Sequence, residues 1–222
     1  MMGPFSVDLN GRVALVTGAG AGVGRAVALV LAASGAAVCV CDVNPDHADQ
    51  VTETIQAAGG RALAWTADVS NRFQVGAMIE AVREQWGALH ILINATTVIK
   101  PAPLLTLDEY DWRRMIEIDL TGVFFCTQLA ARVMSAEGGG VIVNVVRLSG
   151  EGSAAYTSAQ NGVIGFTRET ARGLAVEGVR INTVAYDHTL DPTAAAPVVA
   201  FLCSQAAAFM AGQTLTVDGG RG

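Results

Sequence analysis

A chain of 222 residues, 51% apolar and 15% charged, is long enough for one large α/β domain and apolar enough to bury a core without disulfides or metals, which excludes disorder. Its 14 Lys+Arg stand against 20 Asp+Glu with no basic cluster, and the net charge of −6 argues against a nucleic-acid partner. The four cysteines, Cys39, Cys41, Cys126 and Cys203, are scattered among apolar residues and read as buried, reduced thiols.

Met1 to Asn10 carry neither the basic start nor the apolar core of a signal peptide. The uncharged stretch Ala26 to Cys41 is shorter than the ~20 residues of a membrane span. A cytoplasmic protein with no membrane partner is the expectation.

In chain order, strands are predicted at Val13–Thr17, Ala37–Asp42, Ala62–Ala67, Ile91–Asn94, Val141–Val146, Arg180–Ala185 and Thr214–Val217. Several are continuous Val/Ile/Leu/Ala runs, the pattern of strands buried on both sheet faces. Helices are predicted between them at Gly22–Ala33, His47–Ala58, Asn71–Trp86, Asp108–Ala136, Tyr156–Val176 and Ala194–Ala208. Alternation of this kind implies right-handed crossovers and a Rossmann-like, doubly wound, seven-stranded parallel sheet flanked by helices, as a single domain over 1–222. Trp65, Trp86 and Trp112 fall inside these patterns and read as packing.

The first strand runs into Thr17-Gly18-Ala19-Gly20-Ala21-Gly22-Val23-Gly24, and a helix follows at once. Glycines let the backbone turn tightly and approach a pyrophosphate, which the free N–H groups and dipole of the helix start attract. The second strand ends at Asp42, 18 residues beyond Gly24. A carboxylate there accepts hydrogen bonds from an adenosine ribose and repels a 2′-phosphate, favouring NAD over NADP. A tight turn with no nucleotide is the alternative reading of the glycines.

These residues resemble the short-chain dehydrogenase/reductase family over nearly the whole chain. Gly18, Gly22 and Gly24 match its glycine motif, and Asp68-Val69 resembles its adenine-contacting acidic position. Asn94 keeps the first Asn of its Asn-Asn-Ala-Gly, and the chain's final stretch through Val217-Asp218-Gly219-Gly220 looks like the family's ending. The resemblance implies hydride transfer between a nicotinamide and a carbinol or carbonyl carbon by an Asn, a Ser, a Tyr and a Lys. In that set the Tyr is the acid/base. Its phenol starts near pKa ~10, so about 0.1% is ionised at neutral pH, and the Lys four residues on, on the same helix face, supplies the charge that lowers it.

Carried onto this chain, the four positions fall on Asp119, Arg147, Tyr156 and Gln160, and only Tyr156 is the family's residue. Nine positions separate Arg147 from Tyr156, fewer than the family places in that substrate-pocket loop. Tyr186-Asp187 stand where it has Pro-Gly, and after the retained Thr189 the segment Leu190-Asp191-Pro192 joins almost directly to the last helix, without the usual substrate cover.

Two further arrangements are open. Arg147 lowers the Tyr156 pKa if the two meet, although a pairing with Glu151, Asp119 or Asp187 is the plainer outcome. His188 beside Asp187 offers a base with an orienting carboxylate, or is a surface histidine on a short loop. His47 and His90 have no convergent partners in the sequence, and no metal-ligand spacing exists.

The expectation is therefore a catalytically inactive subunit that binds NAD weakly or not at all. It would assemble, as a hetero-oligomer of tetramer type, with a homologous active subunit that carries NAD and oxidises a hydroxyacyl-type secondary alcohol. Ala155, Ala159, Val163 and Phe166 form an apolar face that serves either that assembly or the core. The alternatives are an independent oxidoreductase using Tyr156 with atypical helpers, and an NAD-binding sensor.

Overall fold

Continuous apolar runs need cover on both sides, and the chain supplies it with helices packed on each face of one sheet. A computed structural model describes residues 7–148, 153–187 and 189–220. The first half comprises β1 (Val13–Thr17), α1 (Gly22–Ala33), β2 (Ala37–Asp42), α2 (Pro45–Ala57), β3 (Arg61–Thr66), α3 (Arg72–Trp86) and β4 (Ile91–Asn94). The second comprises α4 (Glu109–Ile116), a π-helical turn (Glu117–Gly122), α5 (Val123–Ala136), β5 (Gly140–Leu148), α6 (Ala154–Val176), β6 (Val179–Asp187), α7 (Ala196–Cys203) and β7 (Thr214–Val217). The strands pair in parallel in the order β3-β2-β1-β4-β5-β6-β7, the predicted seven-stranded Rossmann-like sheet.

Side chains alternate between two core layers. Leu31, Val38, Ile93 and Val199 belong to the layer shared by α1, α2 and α7. Leu15, Met78, Ile142 and Met134 belong to the layer under α3, α5 and α6. Strand order reverses between β1 and β4, where Thr17 pairs with Asn94, so a crevice opens at the carboxyl ends of those strands.

One crossover departs from the uniform right-handed expectation. The step from β6 to β7 advances across the sheet as β4 to β5 does, yet α7 packs with α1 on the opposite face from α5. Its hand is therefore opposite to theirs. The 23-residue α6 already covers the other face, reaching the segment before β7 where Ala171 abuts Gly212.

Other departures have local causes. Helix α2 starts before His47 because Asn44 caps it, accepting a hydrogen bond from the Asp46 N–H at 3.0 Å, with Pro45 at the first helical position. The long helix predicted over Asp108–Ala136 is split by the π turn, which buries Ile118, Asp119 and Gly122. The last predicted helix, Ala194–Ala208, shortens to α7 between two 3₁₀ turns. Trp112 is 38% exposed and does not serve the core.

The four cysteines are buried and free. Of the apolar face predicted on α6, Ala155, Ala159 and Val163 are buried within the subunit's own core, and Phe166 is half-buried.

A buried polar chain ties the second half of the sheet together. The Asn94 amide donates to Thr127 Oγ1 at 3.2 Å and to Asn144 Oδ1 at 2.8 Å. The Asn144 amide then donates to Thr167 Oγ1 at 2.9 Å, and the Thr183 hydroxyl lies 3.0 Å from the same oxygen. Strands β4, β5 and β6 and helices α5 and α6 are thereby locked in register by side chains that see no water.

Candidate functional site

The chain leaves β1 through a turn whose geometry only glycine tolerates. Gly18 has φ +61°, and a Cβ there would lie 2.7 Å from Thr96 Cα. Gly22 has φ +53°, and a Cβ on Gly24 would run into the Gly18 carbonyl. Helix α1 then begins with no side-chain cap and no acidic residue in its first turn, leaving its first N–H groups for a ligand anion.

Asp42 closes this turn from the end of β2. Its Oδ2 accepts from the Gly20 N–H and its Oδ1 from the Asn44 N–H, both at 3.0 Å, leaving lone pairs on each oxygen for ribose hydroxyls.

Asp68 is held by Ser70, whose N–H and hydroxyl donate to Oδ1 at 2.9 and 2.6 Å, and by Arg114 from α4, 2.9 Å from Oδ2. Burial pushes its pKa up, but the hydrogen bonds from Ser70 and Arg114 outweigh it and hold the carboxyl below its usual value. Arg114 was not singled out in the sequence: nothing in α4 marks it apart from Arg113, whose partner is the exposed Glu109.

Gly18, Gly22, Asp42, Asp68 and Val69 all line one cleft of about 350 Å³, together with Arg114. Gly24 and Asn94 are not among its lining residues. Gly24 sits beneath the turn, and Asn94 belongs to the buried polar chain.

At the other end the ladder between β5 and β6 continues beyond the predicted ends, pairing Arg147 with Tyr186 and Leu148 with Asp187. No Pro-Gly breaks β6 there, and Tyr186 suits a strand. Both Arg147 and Tyr186 line the cleft.

Tyr156, near the start of α6, is 2% exposed, and burial raises its pKa to about 12. The neighbouring Thr97 hydroxyl and the Arg147 charge act against that shift, Asp119 and Tyr186 add to it, and the downward contributions lose. Among the described residues, neither the Tyr156 nor the Thr97 hydroxyl, both buried, completes a hydrogen bond.

Asp119 accepts from the Val98 N–H at 2.8 Å through Oδ1, while its buried Oδ2 has no hydrogen-bond partner among the described residues. Burial pushes its pKa up to about 7 against the Val98 bond. Gln160, 6% exposed, accepts from the Arg147 backbone N–H at 3.0 Å through Oε1. The structure thus brings Asp119, Arg147 and Tyr156 within electrostatic reach of one another, with Gln160 fastened to the same strand end. Glu151 and His188 lie outside the described residues. Among the described residues no group of His, Cys, Asp and Glu forms a metal site.

A sequence profile of the family described as short chain dehydrogenase matches residues 12–196. The chain belongs to the short-chain dehydrogenase family. Within it, the chain is 39% identical to the cis-4-hydroxycyclohexanecarboxylate dehydrogenase of Sinomonas cyclohexanicum, over 94% of this chain and 96% of that one. It is 33% identical to the cyclohexanol dehydrogenase of Acinetobacter sp. (strain SE19), over 95% and 94%.

Among solved structures it is similar to a hydroxysteroid dehydrogenase from Escherichia coli (32% identity, TM-score 0.90, 96% of this chain and 97% of that one). It is also similar to a 7α-hydroxysteroid dehydrogenase solved with NADH and 7-oxo glycochenodeoxycholic acid (30% identity, TM-score 0.91, 99% and 98%).

Against a short-chain dehydrogenase's dinucleotide the site divides in two. The adenosine end fits: a glycine cradle that a Cβ would fill, free helix N–H groups and two carboxylates meet in one cleft. The nicotinamide end does not fit, because no ammonium faces Tyr156 from α6 and two large side chains occupy the ends of β5 and β6. No helix among the described residues is long and apolar enough to cross a membrane.

Proposed function

We propose that this short-chain dehydrogenase is catalytically silent by itself and works as a subunit alongside an active, NAD-dependent homologue that oxidises a secondary alcohol. The observation that carries the reading is Gln160. Its amide oxygen is engaged by the Arg147 backbone and it bears no charge, so nothing on α6 offsets the burial that keeps Tyr156 protonated. A phenol pushed up to about 12 is ionised in only about one molecule in 10⁵ at pH 7. It cannot then take the carbinol proton.

The residues present have other work. The glycine turn and Asp42 hold the adenosine side of a nucleotide, and the buried chain through Asn144 keeps the sheet rigid beneath it. NAD is held weakly at most, since the nicotinamide end lacks its partners. Secondary alcohols as the active subunit's substrate are consistent with the two relatives' names, one a hydroxycyclohexanecarboxylate dehydrogenase and one a cyclohexanol dehydrogenase. Leu104, Leu105, Tyr110 and Trp112 are exposed at the entry to α4, apolar surface of the kind an assembly covers.

Co-expression with a family member that has an intact Ser-Tyr-Lys set tests this. The two chains are expected to co-elute as a hetero-oligomer, with alcohol oxidation falling when this chain is omitted. Unchanged activity of the homologue without it contradicts the proposal.

A further inference from the structure

We infer that Arg114 is a positioning residue of this cleft: with Ser70 it fixes the Asp68 carboxylate so that a single acceptor stays open, and the site thereby takes a 6-aminopurine nucleotide over a 6-oxopurine one. This rests on one part of the reading above, that the adenosine end of the cleft serves binding.

The sheet sets where a base lies. The cleft is lined by the glycine turn after β1, by Asp42 at the end of β2 and by Asp68 just beyond β3, three strands that neighbour one another. Adjacent strands are ~4.8 Å apart. With a phosphate at the α1 N-terminus and a ribose at Asp42, the next strand end along receives the base. Val43, Ala67 and Val69 line the cleft there and offer apolar sides to a flat ring. The Ala67 N–H donates to the Asp42 carbonyl at 3.2 Å, which ties the two strand ends together.

The polar group that ring meets is closely specified. Asp68 Oδ1 accepts from the N–H and the hydroxyl of Ser70, which fills its two lone pairs. Oδ2 accepts from Arg114 Nη2 at 2.9 Å, and Arg114 Nη1 donates to Ser70 Oγ at 3.0 Å. The three side chains thus close into a ring that holds the carboxylate against rotation. The Asp68 N–H donates to Gln74 Oε1 at 2.8 Å, so its backbone is held as well. One lone pair, on Oδ2, is left for a ligand among the described residues.

The bonds from Ser70 and Arg114 also keep this carboxyl ionised against its burial. An ionised carboxylate accepts hydrogen bonds and donates none. The amino group at C6 of adenine, across the base from the ribose, brings it an N–H. A 6-oxo group brings only lone pairs and is repelled. Hypoxanthine keeps an N–H at N1, one ring atom away, which a carboxylate free to turn can follow. Fixing Asp68 is therefore what separates the two bases, and the Arg114 fork does the fixing from α4. Its neighbour Arg113 pairs with the exposed Glu109 and is not among the residues lining the cleft.

Calorimetric titration of the full chain with AMP and with inosine monophosphate at neutral pH tests this. AMP is expected to bind at least about tenfold more tightly, since a site built to bond an N–H rejects the analogue lacking it. Arg114→Met is expected to lower AMP affinity about tenfold while inosine monophosphate binds as before or better. A merely structural loss would lower both together. Arg114→Lys keeps a charge for Oδ2 but cannot bridge to Ser70, and its selectivity is expected to fall between the two. Arg113→Met is expected to change neither affinity.

Equal binding of the two nucleotides, no binding of AMP, or an AMP-to-inosine ratio unchanged by Arg114→Met would overturn the inference. Should Arg114→Met bind neither nucleotide, Arg114→Lys decides, and a ratio equal to the parent's overturns it too. Equal binding without alcohol turnover removes this inference and leaves the silent-subunit reading standing. Turnover by the chain alone, with the adenine preference intact and lost in Arg114→Met, does the reverse.

Discussion

Asp119→Asn is expected to stabilise the chain by about 3 kcal/mol at pH 8 and to change little at pH 4. In the folded chain burial raises the Asp119 pKa from 3.8 to about 7. Between those values the unfolded chain has released its proton and the folded one has kept it, so stability falls as pH rises from about 4 to about 7 and is level above. A shift of that size corresponds to an upper bound of about 4 kcal/mol.

Asparagine retains an oxygen for the Val98 N–H and carries no charge to desolvate, so it escapes the penalty at high pH. Urea unfolding of both proteins at pH 4, 6 and 8 measures the difference directly. An effect that does not change with pH would show that burial of the carboxylate is not its cause.

The second large effect lies deeper. Asn144→Ala is expected to cost about 2–4 kcal/mol. It removes the acceptor of the Asn94 amide and the donor to Thr167, both fully buried, and each orphaned buried group costs about 1–3 kcal/mol. Thr127 and Thr183 remain as partners for the stranded groups, which keeps the sum from its maximum. Thr183→Val, which removes a single link at the end of the chain, is expected to cost about 1 kcal/mol. Thermal or urea unfolding reads both, and an Asn144→Ala variant within about 0.5 kcal/mol of the parent contradicts the view that this chain of side chains fixes the sheet.

Much of this molecule is legible in one dimension because its strands are buried on both faces. Runs such as Val13–Thr17 and Ile91–Asn94 need no alternation to be recognised, and their bounds match the structure. The glycine turn is equally plain, since close approach and positive φ leave glycine as the tolerable residue at Gly18 and Gly22.

Less is visible where the outcome depends on what a residue meets. The π turn around Asp119 lies inside a stretch with continuous helical patterning, so periodicity extends one helix across it. The opposite hand of the β6–α7–β7 connection follows from which face α6 has already taken, a three-dimensional fact with no local signal. Arg114 pairs with Asp68 across 46 positions, and Asn144 finds Asn94 across 50. Polar residues inside apolar strands were the available hint for the latter, and they declare that a partner exists without saying which.

The most direct test is NAD⁺-dependent oxidation of a cyclic secondary alcohol by the purified chain alone. With Gln160 supplying no positive charge and Tyr156 held at about 12, the account predicts no NADH formation above the protein-free rate at neutral pH. Sustained turnover at about 1 s⁻¹ or faster, within the ordinary range of enzymes, would contradict it.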